Sequence, residues 1–492
     1  MPIDALSSIF VEKPALSISI TTLVIATLIN LSIERSKSQR KGFIAFFIAL
    51  LALILSEVAI IMLPLDDVKD RTAEFFIFDE FARFFAVFAV FVTIAIAVAV
   101  YYYSKGLPEI PAFYSLITGT AIGLILLPSA VDLIAIFVAW ELLSVPLYAM
   151  VAYSHKWSRS IEGAIKYYVM GTASSAILGL GIGVMSALAG TTNLYELSEK
   201  LNPIFAGSDT FAQIMLGFSV IALIIGFGVK LTLVPLHQWA PDTYEGSMPP
   251  ITAYLSGTIK AIRFSAPLKV FMLLIPVLRY DARLYLSVLA FLTMTYANIV
   301  ALKQVRVYRM MAYSSIAQMG YIIIGLVAGT EEGVTAAVFY VFAFAIMEVI
   351  VFTVIGIVIY FLDLETVDDY NGLASKYPGI SLAFALSLLS LVGIPPLIGF
   401  AGKVYLFVAA WSAGVAWLAI ALAINSGISI GYYGLVIKRM YLEEPSEKIK
   451  EVRIPRPYIV ILWILTLVIL VFGIYPAPVE NLASLAAKTI IG

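Results

Sequence analysis

Four side chains define the chemistry open to this chain. Glu141 is the one carboxylate in the otherwise apolar stretch FVAWELLSVPLYAM, residues 137–150. Lys230 lies in GFGVKLTLVPLHQWAP, Lys260 in LSGTIKAIRFSAPLK and Lys403 in LSLVGIPPLIGFAGKVYLF. Each sits in sequence that otherwise belongs in hydrocarbon, where an ionised group costs roughly 2.5–3.5 kcal/mol even on lenient insertion scales. Burial disfavours a charged amine and a nearby carboxylate favours it. A lysine held between the two changes protonation when its partner moves. Taken in order, Glu141, Lys230, Lys260 and Lys403 form a candidate row of titratable groups with water bridging the gaps. Any one alone reads equally well as a structural ion pair; four together, two of them beside helix breaks, favour proton transfer.

The elements that must position these groups follow from composition. Hydrophobic residues make up 61% of the 492 and charged residues 13%, against roughly 45–50% and about 25% in soluble domains. Lipid is therefore the solvent. Apolar runs of crossing length fall at 16–33, 42–64, 83–103, 110–128, 131–153, 163–189, 213–238, 249–276, 282–301, 309–328, 334–361, 379–411, 416–441 and 456–475. The spacing predicts an all-α polytopic membrane protein of about fourteen spans, because a transmembrane barrel would show short alternating segments instead. The first run lacks a charged segment and a small-residue cleavage site before it, and reads as a span, not a removed leader. The net charge of −1 argues against a nucleic-acid partner. The absence of cysteine excludes disulfides, iron–sulfur clusters and thiolate metal sites. His155 and His237 are too few and too far apart to suggest a metal site.

Lysine and arginine sort the loops. ERSKSQRK, SHKWSR, LKQVRVYR and the segment from Lys438 to Arg456 are basic, whereas PLDDVKDRTAEFF and GTEEG are acidic. The expected orientation puts these basic loops inside, and the even-numbered loops with both termini outside. Apart from those at span ends, about six basic residues are left within spans: Lys166, Lys230, Lys260, Arg263, Lys269 and Lys403.

Two spans carry internal prolines, Pro235 in the seventh and Pro395 with Pro396 in the twelfth. Proline removes an amide donor and clashes with the preceding turn. Both spans should be discontinuous near mid-membrane, which is tolerable only inside protein or beside a water-filled cavity. Breaks in corresponding places suggest two inverted five-helix repeats, spans four to eight and nine to thirteen. The expected divisions are 1–109 (spans one to three), 110–276 and 277–441 (the two halves), and 442–492 (basic loop and span fourteen). Further candidates for the proton path are His237, next to the first break, and Glu348 in AFAIMEVIVF. Glu348 reads equally as the partner of a nearby base. Lys166 is near a helix end, where snorkelling explains it as well as function does. Glu57 is read as a lipid-interface or helix-contact group, and Arg263 and Lys269 as locally paired or reaching an interface.

The stretches WELLSVPLYAM, EGAIKYYVMGTASSA, GFGVKLTLVPLHQWAPDTYEGSMPPITAYLSGTIKA, RMMAYSSIAQMGY, LSLVGIPPLIGFAGKVYLF and INSGISIGYYGLVIKRMY carry a resemblance. Over about residues 110 to 441 the chain resembles the antiporter-like proton-pumping subunits of respiratory complex I, most closely the N-type subunits of NADH–quinone oxidoreductase. The resemblance implies that Glu141 and Lys230 are the pair of a first half-channel, Lys260 the central bridge and Lys403 the lysine of a second. It also implies no cofactor or metal on this chain. NADH or another donor, flavin, iron–sulfur clusters and quinone would sit on partner subunits: a peripheral redox arm, a second antiporter-like subunit and small transmembrane subunits. There are departures from the family pattern. Gln318 stands in YSSIAQMGY where the family usually has a histidine, and Tyr308 precedes Arg309 where a Lys-Arg pair is common. Glu348 occupies a position usually uncharged, and is expected to restore a titratable group lost at Gln318. Subunits of multi-subunit sodium/proton antiporters and of membrane-bound hydrogenases share the same core and stand as the alternative. A non-transporting scaffold fits less well, because a row of buried charges would cost stability without return.

Overall fold

The computed structural model describes residues 13–66, 71–104, 110–153 and 158–491, so His155 lies outside the described residues. The chain is helical in these segments apart from turns, loops and three isolated β-bridges. Helices α1 (Pro14–Glu34), α2 (Lys41–Met62), α3 (Glu80–Tyr103), α4 (Ile110–Ser129), α5 (Leu133–Ala152) and α6 (Ser158–Ala189) supply the first six passes. A short helix α7 (Leu194–Ala206) precedes α8 (Thr210–Lys230), and α9 (Trp239–Gly246) continues the seventh pass beyond a break. Helix α10 (Pro249–Ala253), a π-helical segment at Tyr254–Ile259 and α11 (Lys260–Ala301) follow. Then come α12 (Val307–Ala328), α13 (Glu331–Leu362), the single turn α14 (Leu373–Lys376), α15 (Pro378–Val392), α16 (Ile398–Ser412), α17 (Ala416–Leu442), α18 (Arg456–Ile474) and α19 (Ala477–Ile491).

Twelve helical stretches among the described residues are long and apolar enough to cross a membrane, and α15 with α16 forms a further, broken pass. The eighth and ninth expected spans share one helical run. Straight, the 42 residues of α11 would reach roughly 60 Å, twice the hydrocarbon thickness. The run instead returns on itself: Glu245, just before it, pairs with Arg306, just after it, at 2.7 Å. The reversal lies between Lys269, bonded to the carbonyl of Pro128 at 2.6 Å, and Arg283, bonded to that of Ala328 at 3.0 Å. Fourteen passes result.

Loop pairing sorts by parity. On one face, hereafter the basic face, Lys166 and Arg309 both pair with Asp242 (2.6 and 2.5 Å), Arg439 pairs with Asp368 (2.9 Å) and Lys448 with Asp369 (2.7 Å). On the opposite face Lys13 pairs with Glu74 (2.5 Å), and Arg71 donates to the carbonyl of Thr489 at 3.0 Å, which brings both ends of the described chain to that side. Helix starts are fixed by side-chain caps: Asp79 accepts from the Ala82 amide (2.9 Å) and Asp132 from the Ile134 amide (2.8 Å), satisfying amides with no intrahelical partner.

Helices α12 and α13 are almost wholly buried and form the centre, whereas α1, α2 and α18 leave most of their surface to lipid. Two helices have no counterpart among the expected spans. Helix α7 is too polar on one side to cross and buries Leu194, Leu197 and Leu201 on the other. Helix α19 buries Val479, Ala483, Ala486, Ala487 and Ile490 against α13 and α3. The C-terminal segment thus holds a second helix after the fourteenth span.

Candidate functional site

The first break starts where α8 ends, at Lys230. Thr232 takes a φ of +60°, a conformation rare for a β-branched residue, and Pro235 follows. The freed backbone is re-satisfied locally. The indole of Trp239 donates to the Val229 carbonyl (2.8 Å), and the Val234 amide donates to Thr293 Oγ1 of the ninth pass (3.0 Å). Lys230 is thereby held at the end of a half-helix. Its Nζ donates to Glu141 Oε1 (2.8 Å), Ser144 Oγ (2.8 Å) and Ser175 Oγ (2.9 Å), while Ser175 Oγ donates to the same Glu141 oxygen at 2.5 Å. All three hydrogens of the ammonium are accounted for. Glu141 is the member that reaches the chain's surface, with its side chain 26% exposed against 0% for Lys230.

Arg263 completes this first cluster. Its Nη2 donates to Tyr167 Oη (3.0 Å) and to Ser144 Oγ (3.3 Å), the hydroxyl that Lys230 also uses. Both cations lie over the ring of Trp140, at 5.7 Å for Lys230 and 5.8 Å for Arg263.

The π-helical segment aims the central group. A wider turn just before Lys260 is the kind of local irregularity that recurs at functional sites. Gly257 within it lets the backbone approach α13, since a Cβ there would stand 2.7 Å from Val349 Cγ2 and 2.8 Å from the Ala345 carbonyl. Lys260 Nζ donates to Ser315 Oγ at 2.7 Å, beside the rings of Tyr244 (5.3 Å) and Phe344 (6.0 Å). Glu348, fully buried on α13, lies within electrostatic reach of Lys260, with the hydroxyls of Ser315 and Ser256 next to its carboxylate. Neither carboxylate oxygen has a hydrogen bond of good geometry. Ser315 stands between the central amine and the second buried carboxylate.

The second break separates α15 from α16. Gly393 takes a φ of +94°, which only glycine adopts freely, and Pro395 and Pro396 follow. Lys403 reaches back from α16 to the exposed end of α15, donating to the carbonyls of Leu391 (2.7 Å) and Val392 (3.1 Å) and to Ser426 Oγ (3.0 Å). Gln318 Nε2 donates to the same Leu391 carbonyl at 3.2 Å and to Tyr433 Oη at 3.3 Å. Tyr340 donates to Gln318 Oε1 at 2.5 Å, and Tyr433 hydrogen-bonds Ser314, one residue before Ser315. Helix α12 thus carries the polar contacts from Lys260 to Lys403.

The remaining expected residues lie apart from this row. Lys166 lies half-buried on the basic face and pairs with Glu162 (2.5 Å) and Asp242 (2.6 Å). His237 is buried with an unpartnered Nδ1, beside the rings of Tyr296 (5.1 Å) and Tyr313 (6.2 Å). Lys269 closes the carbonyl end of α4 through Pro128 and Ala130. Sequence reasoning missed Ser144, Ser175, Ser315, Tyr167, Tyr340 and Tyr433 as polar contacts of the row. The signal for Ser144 was present: it lies one helical turn after Glu141, on the same face. Among the described residues no cluster of His, Cys, Asp or Glu has metal-binding geometry.

Two mid-membrane helix breaks joined by a row of buried amines, carboxylates and hydroxyls define an antiporter-like transmembrane subunit. Residues 130–429 match the transmembrane family "NADH:quinone oxidoreductase/Mrp antiporter, TM", and the chain belongs to that family. It is 33% identical to the F(420)H(2) dehydrogenase subunit N of Methanosarcina mazei, over 84% of each chain. It is also 33% identical to the NADH-quinone oxidoreductase subunit N of Heliobacterium modesticaldum, over 85% of this chain and 87% of that one. A chain of respiratory complex I from Thermus thermophilus superposes with a TM-score of 0.78 at 25% identity, covering 96% of this chain and 99% of that chain.

Proposed function

We propose that this chain is a proton-translocating membrane subunit of a complex I-type oxidoreductase, driven by redox chemistry on partner subunits. The observation that carries the reading is the buried lysine at each break, joined through Lys260 and α12. Lys230 is held by Glu141 and two serines; when that pair opens, its proton is free to leave along the row. Lys260 receives charge at the centre beside Ser315 and Glu348, and Lys403 exchanges protons at the second break. Water fills the gaps, since Gln318 and the Leu391 carbonyl between Lys260 and Lys403 do not titrate. Glu348 takes the titratable role that Gln318 lacks. His237 and Lys166 serve as entry points on the way to the row. Residues 110–276 and 277–441 act as the two half-channels, with 1–109 and 442–492 packed around them.

Partners are a second antiporter-like subunit, small transmembrane subunits and a peripheral redox arm, which hold the flavin, iron–sulfur clusters and quinone. This chain carries no redox centre of its own. The basic face is cytoplasmic and both termini lie outside, in a prokaryotic plasma membrane. The two curated relatives support an oxidoreductase in preference to a sodium/proton antiporter, the alternative that the family name keeps open.

The test is purification from the native membrane in mild detergent, then proton pumping by the reconstituted complex. Co-purifying iron–sulfur and quinone-site subunits, with Lys230→Ala losing pumping but still incorporated, is the expected result. Small antiporter subunits without redox proteins would move the chain to the sodium/proton exchangers. Wild-type pumping by Lys230→Ala would remove the proton row from the mechanism.

A further inference from the structure

Arg263 is a fully buried guanidinium with no anion. Its bonds go to two hydroxyls, Ser144 and Tyr167, its Nε has no partner, and among the described residues no carboxylate stands within ion-pair distance. An arginine stays charged under all ordinary conditions. A buried charge without a counter-ion is strongly unfavourable, and breaking a buried pair is costly because it leaves such a charge behind. Lys230, a neighbour on the same hydroxyl and the same indole face, has what Arg263 lacks, the carboxylate of Glu141. The links Glu141–Lys230, Lys230–Ser144 and Ser144–Arg263, at 2.8, 2.8 and 3.3 Å, keep the carboxylate and the guanidinium close. The path along these links is about 9 Å, which bounds from above the gap between the carboxylate oxygen and the guanidinium nitrogen.

We infer that Arg263 is the standby cation for Glu141. When Lys230 has given up its proton, the carboxylate leaves the neutral amine and pairs with Arg263. When Lys230 is protonated again, the carboxylate returns. Atoms and charge balance: one proton leaves Lys230 along the row, no bond to carbon changes, and Glu141 stays anionic with a cation beside it in both states. Arg263 is a positioning residue, acting through Glu141. The charged and polar groups facing Glu141 and Lys230 support such an exchange: Ser144 and Tyr148 on α5, Ser175 and Tyr167 on α6, and Arg263 on α11, with Glu141 the one carboxylate among them in the described residues. The unpartnered Nε leaves the guanidinium able to accept the carboxylate without first breaking its bonds to Ser144 and Tyr167.

This inference rests on the proton-transfer reading of Lys230, yet its test does not. The chain is expressed in its native complex as Lys230→Gln, Lys230→Gln/Arg263→Gln, and the triple variant that adds Glu141→Gln. Incorporation into the purified complex is measured by quantitative mass spectrometry. Lys230→Gln is expected to incorporate at wild-type level, because Arg263 takes the carboxylate. The double variant is expected to fall at least about threefold, since Glu141 then has no cation. The triple variant is expected to recover. That recovery is what a merely structural arginine would not produce. A double variant that incorporates as well as Lys230→Gln, or a triple variant that fails to recover, overturns the inference. Pumping by Lys230→Gln at the wild-type rate would instead overturn the proton row and leave the incorporation result to stand by itself.

Discussion

Ser315→Ala removes one oxygen atom from the centre of the row. Lys260 Nζ then loses its 2.7 Å acceptor, and the oxygen left within reach is the Ser315 carbonyl at 3.5 Å, beyond a good hydrogen bond. The ring of Phe344 remains but cannot accept a proton in transit, and the Tyr244 hydroxyl loses its partner at Ser315. A hydrogen bond to a charged group contributes about 1.5–3 kcal/mol. If the proton crosses between Lys260 and Glu348 through this hydroxyl, the barrier rises by that amount and the rate falls roughly 10- to 150-fold. The assay is the initial rate of proton uptake into proteoliposomes, per amount of incorporated complex. Ser315→Thr keeps the hydroxyl and is expected to pump within about threefold of wild type, which separates lost chemistry from lost packing. If Ser315→Ala pumps at the wild-type rate, the hydroxyl bridge is not on the route.

Three further outcomes follow from the same geometry. Gly257→Ala would place a methyl group 2.7 Å from Val349 Cγ2 and 2.8 Å from the Ala345 carbonyl. It should destabilise the seam between the π segment and α13 by about 1–3 kcal/mol, visible as reduced incorporation into the complex. Glu348→Gln is expected to retain assembly and lose most pumping; unchanged pumping would show that Glu348 does not replace the titratable group missing at Gln318. On the basic face, burial pushes Asp369 up, but hydrogen bonds from Lys448 and from the hydroxyl and amide of Thr366 outweigh it and hold the carboxyl down at about 2. A depressed carboxyl contributes stability above the unfolded value, near 3.9, and loses it as pH falls towards about 2. Asp369→Asn should therefore lower the thermal stability of this loop equally at pH 5 and pH 8, measured by limited proteolysis at the 362–378 segment. A difference between those two pH values would count against the assignment.

Much of this site was legible in the sequence because its members break rules. A lysine in an apolar run and a proline inside a membrane-length segment each stand out against composition alone, and Lys230 with Pro235 and Lys403 with Pro396 did. The serines did not. Ser144, Ser175 and Ser315 are ordinary small residues of membrane helices, and only the packing of α5, α6, α8 and α12 turns them into partners of the lysines. Arg263 was visible as a buried base but read as locally paired or reaching an interface, because one sequence cannot show that its neighbours are hydroxyls and not carboxylates. Helices α7 and α19 were missed for the opposite reason. Their apolar residues are spaced to cover one side of a helix, so neither reaches the hydropathy of a span. The reversal within the run after Pro249 falls between the apolar stretches 249–276 and 282–301 that the sequence itself separates.

The two helix breaks are unlike in how they hold charge. Lys230 has a carboxylate, so its charge follows the movement of one side chain. Lys403 has none in its hydrogen-bonding shell; it lies on the Leu391 and Val392 carbonyls at the C-terminal end of α15, where unpaired carbonyls and the helix dipole favour a cation. Its charge is therefore set by the geometry of the break itself. Gly393 is the residue that fixes that geometry: its φ is +94°, and a Cβ there would stand 3.2 Å from Lys403 Cδ. Gly393→Ala is strained in its backbone and presses on the lysine stem, at a cost of about 1–3 kcal/mol. Moving the α15 carbonyls away from Nζ should lower pumping at least about tenfold with Glu141 and Lys230 unaltered. The check is to compare Gly393→Ala with Ser426→Ala, which removes the hydroxyl at 3.0 Å but leaves the break intact. If the carbonyls hold the charge, the glycine variant is the more damaging of the two in incorporated complex. If Ser426→Ala is as damaging as Gly393→Ala, the hydroxyl and not the helix end governs Lys403.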